Sequence, residues 1–111
     1  MIDSTPPAGA ADAFAVELHR TVDLLRSLSP ARLAGLAEPV RTAAQEFADA
    51  AADAAGDVRR SLPVLPPRAV PDQLAVTGQD LLELAGSAGS APVDAVLRQG
   101  VERLRALRRA T

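Results

Sequence analysis

Four acidic residues recur at three- and four-residue spacing along one stretch of the chain: Glu46, Asp49, Asp53 and Asp57. In a helix this spacing places all four carboxylates along one side. Carboxylates arranged in this way are ligands for hard cations. A di-iron bundle would also require Glu-x-x-His pairs on other helices, but the chain has a single histidine. We therefore interpret the acidic row as a solvated face, or as a surface that complements basic residues elsewhere, and predict no metal site.

The basic residues that would complement this row lie near the C-terminus. Residues 1–57 contain nine acids and four arginines (a net charge of −5), whereas residues 58–111 contain five acids and eight arginines (+3). This asymmetry lets the two halves attract each other, or two copies pair head to tail. The last arginines also fall near the negative pole of a predicted C-terminal helix, where cations are favourable. The candidate partner-binding residues are Glu46, Asp49, Asp53, Asp57, Arg98, Arg105, Arg108 and Arg109.

His19 is the only histidine of the chain and a candidate phosphoacceptor. The string Glu17-Leu18-His19-Arg20-Thr21 resembles the phosphoacceptor helix of two-component histidine kinases, which also use a helical hairpin. The resemblance covers five residues, their order differs from the commonest motif, and the chain has no glycine-rich ATP-binding region. It implies a helical phosphotransfer-type or regulatory domain that uses His19. Because His19 lies beside the apolar stripe of its helix, the other interpretation is a partly exposed surface histidine.

No other residues are spaced for recognisable chemistry. The chain has no cysteine, which excludes disulfides and thiolate catalysis. It has no nucleophile beside a base, no phosphate-binding loop, no nucleotide fingerprint and no zinc-ligand spacing. We therefore predict no catalytic residues, no cofactor and no enzymatic activity. A DNA-associated regulator that uses the C-terminal arginines is an alternative, although the net charge of −2 gives nucleic acid little general attraction.

The composition also allows a prediction of the cellular location. No apolar run approaches about 18 residues, and the acidic N-terminal stretch lacks a basic region, so neither a membrane span nor a signal peptide is predicted. We expect a cytoplasmic protein that does not bind membranes. All twelve basic residues are arginine, and alanine is abundant, which indicates a GC-rich bacterial genome.

The elements that must position these residues are predicted to be helices. Hydrophobic residues make up 48% of the chain but aromatic residues only 2%, so the core must consist of Leu, Val and Ala around Phe14 and Phe47. Val, Ile and Thr are too scattered to give alternating strands. The chain is long enough for one small domain. The predicted fold is all-α: a small antiparallel bundle of four helices, or five if Pro39 splits one of them.

Apolar periodicity and turn residues set the predicted boundaries. The longest apolar stripe runs from Leu33 to Ala54 and keeps its phase across Pro39, which favours one bent helix there over two. Gly56 is expected to loosen that helix without ending it. We predict a flexible leader at 1–9 and a single helical domain at 10–111, with helices at about 10–28, 30–60, 73–85 and 91–109.

Residues 61–72 contain four prolines, so we predict a Pro-rich extended strap between helices two and three. Its apolar residues, among them Leu62 and Leu65, favour a strap packed across the bundle. The alternative is an exposed proline-rich ligand, since Pro63 and Pro66 have PxxP spacing. In addition, Gly78 and Gly100 both lie on apolar stripes, where glycine costs about 1 kcal/mol relative to alanine. Two interpretations are open: a close crossing of helices three and four, or tolerance of glycine at this small cost.

The predicted helices carry apolar stripes, but the chain has no set of residues spaced for catalysis or metal binding, and this combination favours one class of function. We predict a small non-enzymatic helical protein that acts through protein–protein interaction, as a subunit, an adaptor or a self-associating scaffold. Its partner would be another protein or a second copy of the chain.

Overall fold

The computed structural model describes residues 9–88 and 91–111. In this part of the chain there are four α-helices and no strand: α1 (Ala10–Ser27), α2 (Pro30–Ala55), α3 (Val70–Ala88) and α4 (Ala91–Arg109). The predicted all-α four-helix fold is confirmed. Apart from Gly9, which precedes α1, the predicted leader lies outside the described residues. No helix of the described part is long and apolar enough to cross a membrane.

The junction between α1 and α2 and the proline within α2 follow the predicted pattern. Ser29 caps α2, since its hydroxyl accepts a hydrogen bond from the Arg32 N–H at 3.3 Å, and Pro30 occupies the first helical position. α2 then continues through Pro39, so the five-helix alternative is not observed. Proline removes one backbone hydrogen bond, but Ala37 and Val40 on either side of it are buried and keep this segment in the core.

α2 ends at Ala55, five residues earlier than predicted, because Gly56 stops the helix. Gly56 has the left-handed conformation (φ 73°), which glycine adopts without steric penalty. Its N–H donates to the Asp53 carbonyl at 3.2 Å, and the Asp57 N–H donates to the Ala52 carbonyl at 2.8 Å. These two bonds form a Schellman motif. The prediction that the helix extends to residue 60 was wrong.

The strap is confirmed, but it occupies residues 57–66 and runs back along α2. The Gln45 side chain donates to the Arg60 carbonyl at 3.0 Å and accepts from the Leu62 N–H at 2.9 Å, and Arg41 donates to the Leu65 carbonyl at 2.6 Å. Because the strap reverses the chain direction, α3 starts beside the middle of α2 and runs parallel to it, so that the last turns of both helices line one depression. This pair of helices departs from the predicted antiparallel arrangement.

The end of the predicted strap is helical in the structure. Residues Pro67–Ala69 form a 3₁₀ turn that leads directly into α3 at Val70, three residues before the predicted start. α3 then ends at Ala88, three residues after the predicted end. Pro71 therefore lies in the first turn of α3, where a missing N–H removes no intrahelical bond. The prediction of an extended strap over all of residues 61–72 is therefore wrong for 67–72.

The two glycines on apolar stripes make room for α1. A Cβ atom on Gly78 would lie 2.6 Å from Leu18 Cδ2, and one on Gly100 would lie 2.9 Å from Phe14 Cδ1. The Phe14 ring also packs edge-to-face on Phe47, with a centroid distance of 5.0 Å. The predicted close crossing of α3 and α4 at these glycines was wrong, because the side chains that they admit belong to α1 and, at Gly100, also to Phe47 of α2.

Candidate functional site

A groove lies between the C-terminal half of α2 and α4, with a volume of about 880 Å³. Two small residues of α2, Ala50 and Ala54, line the groove and leave space between this helix and α4. The floor is apolar and includes Leu81 of α3 and Val93 of α4, both buried, together with the partly buried Val96. We call this feature the α2–α4 groove. Its rim is charged or polar and consists of Glu46, Asp49, Asp53, Arg59, Gln99, Glu102 and Arg103.

One ion pair spans the groove between its two helices. Arg103 of α4 binds Glu46 of α2 through two hydrogen bonds: Nε donates to Oε1 at 2.8 Å, and Nη2 donates to Oε2. The hydrogen bond with Glu46 raises the pKa of Arg103, although partial burial opposes the shift. The two side chains are 39% and 45% exposed, so this pair lies at the boundary between protein and solvent.

A second ion pair attaches the strap to the rim. Arg59 Nε donates to Asp53 Oδ1 at 2.9 Å and Nη2 donates to Oδ2 at 2.7 Å, while Nη1 lies 3.9 Å from Asp49. The hydrogen bond from Arg59 is the main cause that lowers the pKa of Asp53. Both side chains are more than half exposed. Gly56 makes this pair possible, because the turn it forms directs residue 59 back toward the last turns of α2.

The structure divides the predicted acidic row. Glu46, Asp49 and Asp53 meet at the rim of the groove. Asp57 lies beyond the end of α2, where it lines a separate depression between α2 and α3 together with Asp80 and Glu83. Three of the four acids are thus brought together, and the fourth lies in different surroundings.

The arginines that pair with the acidic row differ from those that the sequence predicts. The acids at the rim pair with Arg59 and Arg103, which were not among the candidates. Arg105 instead donates to Glu102 on its own helix at 3.0 Å. Arg98 and Arg109 are exposed and form no ion pair within the described part of the chain.

Arg108 belongs to an internal network that joins α4 to α1. Its Nη2 donates to Glu17 Oε1, and its Nη1 donates to Thr21 Oγ1 at 2.9 Å. Glu17 is only 6% exposed. The hydrogen bond from Arg108 is the largest cause that lowers the pKa of Glu17; burial opposes it, and the charges of Arg108, Arg105 and Arg20 add to it. Arg108 therefore serves the packing of the bundle, whereas we had predicted it to contact a partner.

Sequence reasoning missed Glu17, although its position carried a signal. Glu17 lies three residues after Phe14 and four before Thr21, so it falls on the buried stripe of α1. A carboxylate at such a position needs a cationic partner. The position of Glu17 on this stripe therefore indicates a buried ion pair.

His19 is at the surface, with its side chain 79% exposed, and its Nε2 lies 3.1 Å from Asp23 Oδ2 one turn along α1. Among the described residues, no group of three or more His, Asp or Glu side chains is arranged to hold a metal ion.

Comparisons with models of protein families, with curated proteins and with solved structures give no match to this chain.

Proposed function

We propose that this chain is a small non-enzymatic helical protein that acts through protein–protein interaction, and that the α2–α4 groove is its docking surface. The observation that carries the proposal is the groove itself: an apolar floor contributed by three helices, enclosed by a charged rim. Apolar surface that is rimmed by polar residues marks interaction sites on soluble proteins.

The residues around the groove favour docking over catalysis. Among the described residues that line it, none carries a hydroxyl, thiol or imidazole group. Its acids and arginines pair with one another across the rim, for example Glu46 with Arg103. Val96, Ala50 and Ala54 keep part of their surface exposed in the groove, and this apolar area is the main surface that a partner would gain by covering.

Two alternatives have less support. For DNA binding, Arg108 is engaged with Glu17 and Arg105 with Glu102, so Arg98 and Arg109 are the members of the cluster without an ion pair among the described residues. For phosphotransfer, the exposed His19 has Asp23 beside it but no groove around it. Loss of function in His19→Ala with an intact fold would favour the phosphotransfer alternative.

The docking proposal is tested with one substitution in the groove and a matched substitution outside it. Val96 lines the groove, whereas Val76 is an exposed valine of α3 that does not line it. The tagged chain is used to capture partners from the cells in which it is naturally made. We expect wild type and Val76→Arg to capture the same protein and Val96→Arg to lose it.

Sedimentation velocity separates the two kinds of partner. A dimer that Val96→Arg dissociates and Val76→Arg preserves would identify a second copy as the occupant, whereas a monomer with groove-dependent capture would identify another protein. Capture that is unchanged in a folded Val96→Arg variant contradicts the groove as the docking surface. A strict monomer that captures no protein contradicts the function.

A further inference from the structure

We propose that the occupant of the α2–α4 groove is the apolar face of a helix that carries basic side chains beside that face, and that Arg59 competes with those side chains for the rim. This inference rests on the proposed docking function and specifies the class of partner.

The form of the groove favours a helix over an extended peptide. The groove is bounded by two helices, whose backbone N–H and C=O groups are paired within each helix, so it offers no strand edge to an extended chain. An extended peptide would leave its own backbone groups unpaired against the apolar floor, and this is unfavourable. A helix satisfies its backbone internally and can place side chains at i, i+3 or i+4, and i+7 on the floor. The small side chains of Ala50 and Ala54 allow it to approach closely.

The charge of the rim favours a basic partner. Four carboxylates and two guanidinium groups line the groove, which gives a net charge of −2. In addition, α2 has no basic residue in its last turn, so the negative pole of this helix is not neutralised there. Asp53 lies close to that pole. A cation that approaches this end of the groove is attracted by the carboxylates and by the helix end together.

Arg59 shows how a cation binds this rim. It contacts Asp53 and Asp49 from the strap, which has no helical structure, and its neighbour Val58 is 81% exposed. The side chains of Arg59 and Asp53 are both exposed to solvent. Another cation can therefore replace the Arg59 guanidinium without leaving an unpaired charge buried. The Glu46–Arg103 pair is less exposed and connects two helices. Arg59 is therefore the cation that a partner would displace.

The first experiment measures binding of synthetic peptides to the full chain by fluorescence anisotropy. The probe is an 18-residue amphipathic helix with leucines on one face and arginines beside them. The comparison peptides carry glutamine or glutamate in place of every arginine. We expect the arginine peptide to bind more than about tenfold tighter than the glutamate peptide, and its affinity to fall as salt concentration rises.

Charge reversal at the rim locates the binding. Asp53→Arg should weaken binding of the arginine peptide by about tenfold. Asp57→Arg is the matched control, since it makes the same change of charge near the same helix end but outside the groove. We expect it to change affinity by less than about twofold. Equal losses in the two variants would overturn the assignment of the groove.

A second pair of variants tests the competition by Arg59. Arg59→Gln removes the cation that binds Asp53, whereas Arg60→Gln removes a neighbouring cation that has no ion pair in the described part of the chain. We expect Arg59→Gln to tighten binding of the arginine peptide by about threefold and Arg60→Gln to leave it within about twofold. Equal effects of the two variants, or weaker binding to Arg59→Gln, would overturn the competition.

The outcomes separate this inference from the docking function. If the glutamine peptide binds the groove as tightly as the arginine peptide, the basic partner is overturned and groove docking stands. If no peptide binds while capture still depends on Val96, the helical basic partner is overturned and the function stands. If no peptide binds and capture does not depend on Val96, both proposals fail.

Discussion

Two arginine–carboxylate clusters lie on different sides of α4 and differ mainly in burial. Toward α1, Arg108 binds Glu17 and Thr21, and Glu17 is 6% exposed. Toward α2, the rim of the groove carries the Glu46–Arg103 and Asp53–Arg59 pairs, whose side chains are between 39% and 60% exposed. Both clusters pair arginine with a carboxylate. We infer that burial makes the first a structural link and solvent access makes the second a surface open to exchange.

The physical reason lies in what happens when one partner is removed. In the buried cluster the remaining charge cannot be fully hydrated, so it loses its hydrogen bonds without replacement. At the rim, water replaces the missing partner at little cost. Stability should therefore depend on the first cluster, and recognition on the second.

The largest expected effect is on stability, from the removal of Glu17. Glu17→Ala leaves the Arg108 guanidinium without its carboxylate in a partly buried position, and we expect the free energy of unfolding to fall by roughly 1.5–3 kcal/mol. Chemical denaturation monitored by circular dichroism measures it. Asp53→Ala is the control from the exposed cluster and should leave the midpoint nearly unchanged. A comparable loss in both variants would contradict the division by burial.

Low pH should weaken the same ion pair, that of Glu17 with Arg108. The pKa of Glu17 is lowered in the folded protein below its ordinary value of 4.5, mainly by the hydrogen bond from Arg108. A lowered pKa contributes stability that is fully present above pH 4.5 and is lost as the pH falls through the folded-state value. We expect unfolding curves of wild type to show this loss below pH 4.5 and those of Glu17→Gln to show less of it. Parallel pH profiles for the two proteins would contradict a stabilising role for the charge.

Gly100 tests how closely the α1 side of α4 is packed. A methyl group on Gly100 would overlap the Phe14 ring, which is fully buried against Phe47. Overpacking of this kind costs about 1–3 kcal/mol, partly offset by the gain of about 1 kcal/mol for alanine over glycine in a helix. We expect Gly100→Ala to lower the thermal midpoint. Gly35→Ala, at a helical position with open space around it, should raise the midpoint. A rise in both variants would show that α1 shifts without penalty.

Local periodicity was sufficient to predict that the described part of the chain forms four helices, although not where α2 ends or where α3 begins and ends. The stripe on α2 kept its phase across Pro39, and the continuous helix follows from the burial of Ala37 and Val40 beside it. The bounds predicted for α4 also agree with the structure. These features depend on residues within a few turns of one another, so the sequence pattern contains the information directly.

Longer-range features could not be predicted in the same way. The direction of α3 depends on the path of the strap, and that path is fixed by the side chains of Gln45 and Arg41 acting on backbone groups about 15 to 24 residues away. The pairing of Asp53 with Arg59 depends on the turn at Gly56. We predicted that Gly56 would loosen α2, whereas in the structure it ends the helix. One backbone conformation thus decided which arginine reaches the groove.

The smallest expected effect is the coupling between Glu46 and Arg103 at the rim. A double-mutant cycle with Glu46→Gln and Arg103→Gln measures the interaction free energy of this pair, and the corresponding cycle with Glu17→Gln and Arg108→Gln measures that of the buried pair. Because solvent screens Glu46 and Arg103, we expect a coupling below about 1 kcal/mol at the rim and a clearly larger one at the buried site. If the rim coupling equals the buried one, Arg103 is a structural link like Arg108, and only the Asp53–Arg59 end of the groove is left for a partner to exchange. If it is smaller, as expected, the pair links α2 and α4 only weakly, and Arg59 is still the cation that a partner displaces, because its pair with Asp53 is the more exposed of the two.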